Sequence, residues 1–168
     1  GYDFISSSST ARDGNGRDPD ARDEGDWFGY LECAGAPFLS QNSSWHGTHV
    51  AGTIAAVTNN NQGVAGIAPR AKILPVRVLG RCGGTLSDIQ EGMLWAAGIS
   101  VPGVPNNPNI AQVINLSLGG AGSCDASMQD VINQITAVGT SVVVAAGNSN
   151  SDASGFTPAS CNNVITVA

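Results

Sequence analysis

The stretch Ser141-Val142-Val143-Val144-Ala145-Ala146-Gly147-Asn148 decides the fold. It is an unbroken apolar run, β-branched at its centre and closed by Gly-Asn. Such a run suits a strand covered on both faces, as in a parallel sheet. Working back from it, Ala126 to Val138 has helical spacing, with Met128, Val131, Ile132 and Ile135 turned inward. Val113 to Leu118 is a strand running into Gly119-Gly120, and Ser87 to Ala97 is a helix with Ile89, Met93, Ala96 and Ala97 on one face. Ile73 to Leu79 is a further short strand. Residues 46–57 are a helix that Ser43 or Ser44 can cap. Forward of the opening stretch, Asn163 to Ala168 begins another strand. Alternating strands and helices predict an α/β fold: a parallel sheet with right-handed crossovers and helices on both faces. Ligands gather at the carboxyl ends of such strands, which draws attention to Gly119–Gly122 and to Gly147–Ser149.

One partial domain is expected over residues 1–168, an acidic loop region (1–45) followed by the alternating region (46–168). The chain closes on an apolar strand with nothing to cover it, so it is expected to be cut short. Only 12% of residues are charged and glycines number 22, a globular, turn-rich composition. The net charge of −6 argues against nucleic acid and anionic membranes as partners, and no apolar run reaches the ~20 residues of a membrane span. The four cysteines, Cys33, Cys82, Cys124 and Cys161, form no C-x-x-C pair. Two disulfides in a secreted, extracellular protein are therefore expected rather than a zinc or redox site.

Both histidines lie in Ser44-Trp45-His46-Gly47-Thr48-His49-Val50-Ala51-Gly52-Thr53. Zinc is disfavoured because the Glu of an H-E-x-x-H helix is missing. His49, inside the helix, is expected to be a hydrogen-bonded packing residue. His46 falls in the first turn, where the helix dipole disfavours the imidazolium and leaves a ring able to accept a proton. Gly47, Ala51 and Gly52 are small enough to let the helix approach a sheet closely.

His46-Gly47-Thr48-His49-Val50-Ala51-Gly52-Thr53 resembles the catalytic-histidine motif of the subtilisin-like serine proteases. The resemblance continues in Gly63-Val64-Ala65-Gly66-Ile67-Ala68-Pro69 and Val76-Arg77-Val78-Leu79-Gly80. It continues again in Asn115-Leu116-Ser117-Leu118-Gly119-Gly120 and Ala145-Ala146-Gly147-Asn148, in the family's order. It implies a three-layer α/β fold, truncated here at both ends, and an extracellular endopeptidase acting on proteins or peptides through a Ser-His-Asp triad. His46 would be the base and Asn148 the side-chain donor to the oxyanion. Ser117, Leu118 and Gly119 would form one wall of the primary specificity pocket, and Ala145, Ala146 and Gly147 the other. Small, uncharged walls imply large apolar or uncharged side chains as substrates, with broad tolerance. Gly83 and Gly84 would lie on the opposite rim of an extended cleft, where substrate adds as a strand.

Two parts of the triad are missing. The only Gly-Thr-Ser is Gly139-Thr140-Ser141, which precedes Asn148 and leads into a strand, so Ser141 is a decoy. No Asp-Thr-Gly or Asp-Ser-Gly turn precedes His46; Asp3 falls just downstream of its expected place. The enzyme reading therefore concerns the parent protein, whose remaining domain, and a pro-segment, would be partners. The competing reading is a non-catalytic binding or scaffold protein of the same fold.

Residues 3–26 hold seven carboxylates against three arginines, punctuated by Gly and Pro. The spacing fails as an EF-hand, since Arg17 takes a ligand position and Asp18 replaces the required Gly. A structural calcium loop of another kind is expected, with Asp13, Asp18, Asp20, Asp23 and Asp26 as ligands. The resemblance implies a second calcium loop over residues 57–64, using the Asn60 side chain and carbonyls of Gln62 and Val64. It also favours Cys33–Cys82 near the cleft edge and Cys124–Cys161 on the other side.

Overall fold

Residues 1–35 and 38–168 are described by a computed structural model, as two compact units, Gly1–Ile89 and Gln90–Ala168. In the first unit, Tyr2–Asp3 (β1) pairs in parallel with Val76–Arg77 (β2). Strand β2 is much shorter than the expected Ile73–Leu79, because its partner spans two residues and Pro75, just before it, has no N–H to give. The leading segment is more than loops. Ser8–Ala11 forms a helical turn (α1), and Phe4, Ile5 and Ala11 are buried.

Buried aspartates stitch this segment to the rest of the unit. Asp3, fully buried, accepts from the Ile5 amide at 2.7 Å and from Arg77 Nη1 at 2.5 Å. Arg77 also reaches Asp13 Oδ2 at 3.2 Å and the Ala11 carbonyl at 2.5 Å. Burial pushes the Asp3 carboxyl above its ordinary range, outweighing the Ile5 and Arg77 hydrogen bonds that act to lower it. At Asp88 burial also pushes upward, but Arg17 at 2.7 Å and the Ser6 N–H and O–H at 3.1 Å hold the carboxyl below its usual range.

His46–Ala55 forms α2, two residues shorter than expected. The chain turns out at Ala56 (ψ 138°), whose carbonyl accepts from Gly66 while Ile67 and Ala68 bond back to Thr53 and Ile54. Within its own unit the close approach expected of Gly47 and Gly52 is not made: a Cβ at either would meet nothing within 4 Å, and no residue of α2 is buried. Nor does this unit pack His49, which is exposed. Within its unit the helix is held by polar contacts at its N-terminus and by backbone bonds to 66–68, neither of which covers its apolar side chains.

Leu86–Ala96 (α3) begins in the first unit and ends in the second, where Met93, Trp95, Ala96 and Ala97 are buried. The second unit is built on Val113–Leu116 (β3), Ser141–Ala145 (β5) and Ile165–Val167 (β7), all parallel in the order β3-β5-β7. Gly120–Ala121 (β4) pairs antiparallel with Phe156–Thr157 (β6), a ladder that the sequence pattern did not announce. Between β4 and β5 lies Ala126–Ala137 (α4), capped by Asp125, whose side chain accepts from the Ser127 and Met128 amides. Its predicted inward residues Met128, Val131, Ile132 and Ile135 are all buried. Along β5, Val142 and Val144 are buried while Val143 and Ala145 stay half-exposed. The strand thus has one fully covered face within its unit, against the two expected. Disulfides join Cys33 to Cys82 and Cys124 to Cys161, with Cα separations of 5.5 and 5.0 Å, the pairing the sequence favoured.

Candidate active site

The first unit presents His46 at the first position of α2. The expected serine cap is displaced by one residue: Trp45, in the left-handed region (φ 52°), is the N-cap, and Ser44 Oγ accepts the His46 amide at 3.3 Å. Ser44 is itself fixed by Asp26, which accepts its N–H at 2.6 Å and its hydroxyl at 2.8 Å. Asp23 accepts from Thr48 Oγ1 at 3.0 Å and from the Gly25 amide at 3.0 Å. Gly25 is obligatory there, with φ +87° and a Cβ position 2.3 Å from Ser43 Oγ. Two loop carboxylates thus anchor the positive end of the helix that carries His46, an arrangement the dipole favours. The imidazole is exposed and makes no hydrogen bond to a described residue. Asp23 and Asp26 as positioning groups were not foreseen; the signal was Asp-Glu-Gly-Asp, which read as metal-binding.

In the same unit, Gly80 and Gly83 exchange backbone hydrogen bonds at 2.9 and 3.1 Å across a turn with Cys82 at φ 65°. Gly84 must be glycine, because a Cβ would lie 2.2 Å from the Val78 carbonyl. The turn is tied through Cys82 to Cys33, and Arg81 reaches Glu32 at 3.2 Å. The Gly29 amide, then Arg81 and Arg12, hold the Glu32 carboxyl below its usual range.

The remaining predicted metal ligands are engaged locally. Asp13 takes the Asn15 amide and Arg77, Asp18 the Asp20 amide, and Asp20 the Arg22 amide and guanidinium. Among the described residues no three His, Cys, Asp or Glu side chains gather as a metal site. An ion shared by the five aspartates would have to displace these turn and ion-pair bonds. The 57–65 loop wraps a concavity of about 280 Å³ lined by Thr58, Asn60, Gln62 and Val64 among others, and there too the side-chain oxygen is engaged, Asn60 Oδ1 accepting the Gln62 amide at 3.1 Å.

The second unit places both predicted pocket walls at strand ends. Ser117 and Leu118, half-buried, follow β3 directly, and Ser117 Oγ accepts from Asn115 Nδ2 at 3.0 Å. Gly119 is in close quarters: a Cβ would stand 2.9 Å from the Thr157 carbonyl. On the neighbouring strand, Ala146 still donates to Val167 at 2.8 Å, and Gly147 (φ +101°) then turns the chain off the sheet. Asn148 emerges exposed, its carboxamide free of any partner among the described residues. A carboxamide delivered so at the carboxyl end of a parallel strand is poised to donate to a ligand oxygen. Ser141, by contrast, opens β5 with its amide on the Gln112 carbonyl, held as a strand residue. Among the described residues no helix is long and apolar enough to cross a membrane.

The model of the subtilase family matches residues 11–168. An extracellular protease of Xanthomonas campestris is 62% identical over 168 residues, the whole of this chain and 29% of that protein. An extracellular basic protease of Dichelobacter nodosus is 57% identical over 170 residues, 99% of this chain and 28% of its own length. The solved structure of a protease from Pseudoalteromonas arctica superposes with a TM-score of 0.96 at 58% identity, covering all of this chain and 49% of that one. The chain therefore spans less than a third of the length of these curated relatives, and its fold is the three-layer α/β class of parallel sheets flanked by helices.

Proposed function

The chain belongs to the subtilase family, and from that membership we propose that its parent protein is a secreted serine endopeptidase that hydrolyses peptide bonds of proteins. Here the chain contributes the base and one oxyanion donor. His46 takes the proton of a serine hydroxyl as the hydroxyl attacks the scissile carbonyl, then returns it to the leaving amine. The serine and the orienting aspartate are supplied by sequence outside this chain. Asn148 donates to the oxygen that becomes negative in the tetrahedral intermediate. The observation that carries the reading is its carboxamide, exposed and unpartnered immediately after a left-handed glycine at a strand end. An oxyanion donor needs that freedom, because an amide already satisfied by protein would have to break a bond to serve.

The substrate chain would pair with Ser117–Gly119 in extended form, its side chain entering between those residues and Ala145–Gly147. Calcium is proposed as a structural cofactor held by the 57–65 loop through Asn60, Gln62 and Val64. It would neutralise converging oxygens there and takes no part in the chemistry.

The test is kinetic. In the full-length protein, Asn148→Ala should lower kcat by about 10²–10³ with little change in KM, the signature of an interaction made in the transition state; the size is that measured for such an asparagine in subtilisin itself. His46→Ala should lower kcat further still. Equal activity of Asn148→Ala and wild type would remove the proposed donor, and a scaffold protein would show no activity to lower.

A further inference from the structure

The segment leading to α2 holds an exposed apolar stretch that the proposed reaction does not use. Phe28 and Gln41 exchange backbone hydrogen bonds at 3.0 and 2.9 Å and close a loop between them. The arm that leaves Phe28 is fixed. There the Glu32 amide bonds the Gly29 carbonyl at 3.2 Å, and its carboxylate takes the Gly29 amide, Arg12 and Arg81. Cys33, next in the chain, is disulfide-bonded to Cys82. The arm that returns to Gln41 is held less. Phe38 and Leu39 are 73% and 62% exposed, and Ser40 is exposed as well. No backbone N–H or C=O of these three residues bonds to a described residue, and Phe38 meets the Tyr30 ring with 6.1 Å between centroids.

Two features suit this arm to being cut. A protease that takes its substrate as an added strand needs free N–H and C=O groups, and residues 38–40 offer them. The pocket walls assigned above imply large apolar side chains at the residue whose carbonyl is attacked, and Phe38 and Leu39 present two in succession. A break here would release neither side. The disulfide joins residue 33, before the break, to residue 82, after it. Asp26 and Asp23 reach across it to Ser44 and Thr48, so α2 keeps its anchors.

We propose that the parent protein is cut by a second copy of itself directly after Phe38 or Leu39, and persists as two chains joined through Cys33–Cys82. The inference rests on the endopeptidase reading above. Water adds across the amide and the C–N bond breaks, leaving a carboxylate on Phe38 or Leu39 and an amine on the residue that follows. In the oxidising surroundings of a secreted protein the S–S bond persists, so the cut form remains one molecule.

The experiment incubates purified full-length protein, with and without a prior fluorophosphonate block, after its activity on a peptide with Leu at the attacked residue has been measured. Mass and gel electrophoresis, with and without reductant, follow the chain. The active sample should gain the mass of one water, stay a single species without reductant and part into two with it. The second piece should begin Leu-Ser-Gln or Ser-Gln-Asn. The blocked sample should stay whole. Phe38→Asp/Leu39→Asp lies outside the proposed catalytic and pocket residues; it should cleave the peptide as the wild type does, yet be cut at least about tenfold more slowly. Several results overturn the proposal: an active enzyme whose own chain stays whole while it digests an added unfolded protein, a first cut elsewhere in residues 1–168, a cut in the blocked sample, equal cutting of the variant, or pieces that separate without reductant. If the wild type does not cleave the peptide, the endopeptidase reading itself fails, and this inference with it.

Discussion

Replacing Arg77 with methionine tests whether a dry ion cluster holds the first unit together. Arg77 is 8% exposed and Asp3 0%, so neither can fall back on water. Methionine keeps most of the aliphatic stem but removes the bonds to Asp3, Asp13 and the Ala11 carbonyl. Asp3 is left with the Ile5 amide as a partner and with the Asp13 charge nearby. Removing one member of a buried pair costs about 3–5 kcal/mol, a large part of the ~5–15 kcal/mol that holds a typical protein folded. The deficit should depend on pH in a definite sense. Burial already raises the Asp3 carboxyl above its ordinary 3.8, and losing Arg77 raises it further. A carboxyl raised in the fold contributes stability that is full below its unfolded value and lost as pH climbs through its folded value. Arg77→Met should therefore be most deficient at neutral pH and recover part of the loss as pH falls toward 3.8. Urea unfolding of both full-length proteins at pH 7 and pH 4, with Asp3→Asn/Arg77→Met as the rescue, reads this directly. A deficit below about 1 kcal/mol at pH 7, or one of equal size at both pH values, would show that the Asp3–Arg77 pair does not hold the unit together.

Three further outcomes are expected. Cys33→Ser/Cys82→Ser and Cys124→Ser/Cys161→Ser open loops of sequence separation 49 and 37, and chain entropy alone predicts a loss of about 4 kcal/mol for each in chemical denaturation. Gly119→Ala forces a methyl against the Thr157 carbonyl, which should cost about 1–3 kcal/mol and lower kcat/KM on peptides; an unchanged Tm would show that the wall yields freely. Chelation should lower Tm and added calcium restore it, by about 2.7 kcal/mol at a hundredfold excess over Kd, with Asn60→Ala blunting the response and Asp18→Ala not.

The alternation of apolar runs carried most of the second unit: Met128, Val131, Ile132 and Ile135 turn inward as their spacing demands, and β3, β5 and β7 stand where β-branched runs occur. Strand ends were less legible, because pairing partners rather than composition limit them, as Tyr2–Asp3 limits Val76–Arg77. The β4–β6 ladder escaped notice because Gly120–Ala121 and Phe156–Thr157 are too short for any periodicity. At the site, the histidine helix and the Gly-Asn turn were visible in the motifs. The anchoring of that helix by Asp23 and Asp26 was not, since a carboxylate bound to a distant hydroxyl looks in sequence like any other acidic loop residue. The small residues of α2 promised burial that its own unit does not supply, a reminder that a helix face records a need for cover rather than the cover itself.

In the proposed reaction His46 activates a serine of the parent protein. Labelling the full-length protein with a fluorophosphonate, beside His46→Ala, tests it most directly. One serine should be labelled in the wild type, with concurrent loss of proteolysis, and labelling should fall by orders of magnitude in the variant. Equal labelling of both proteins, or none of the wild type, would contradict that role for His46.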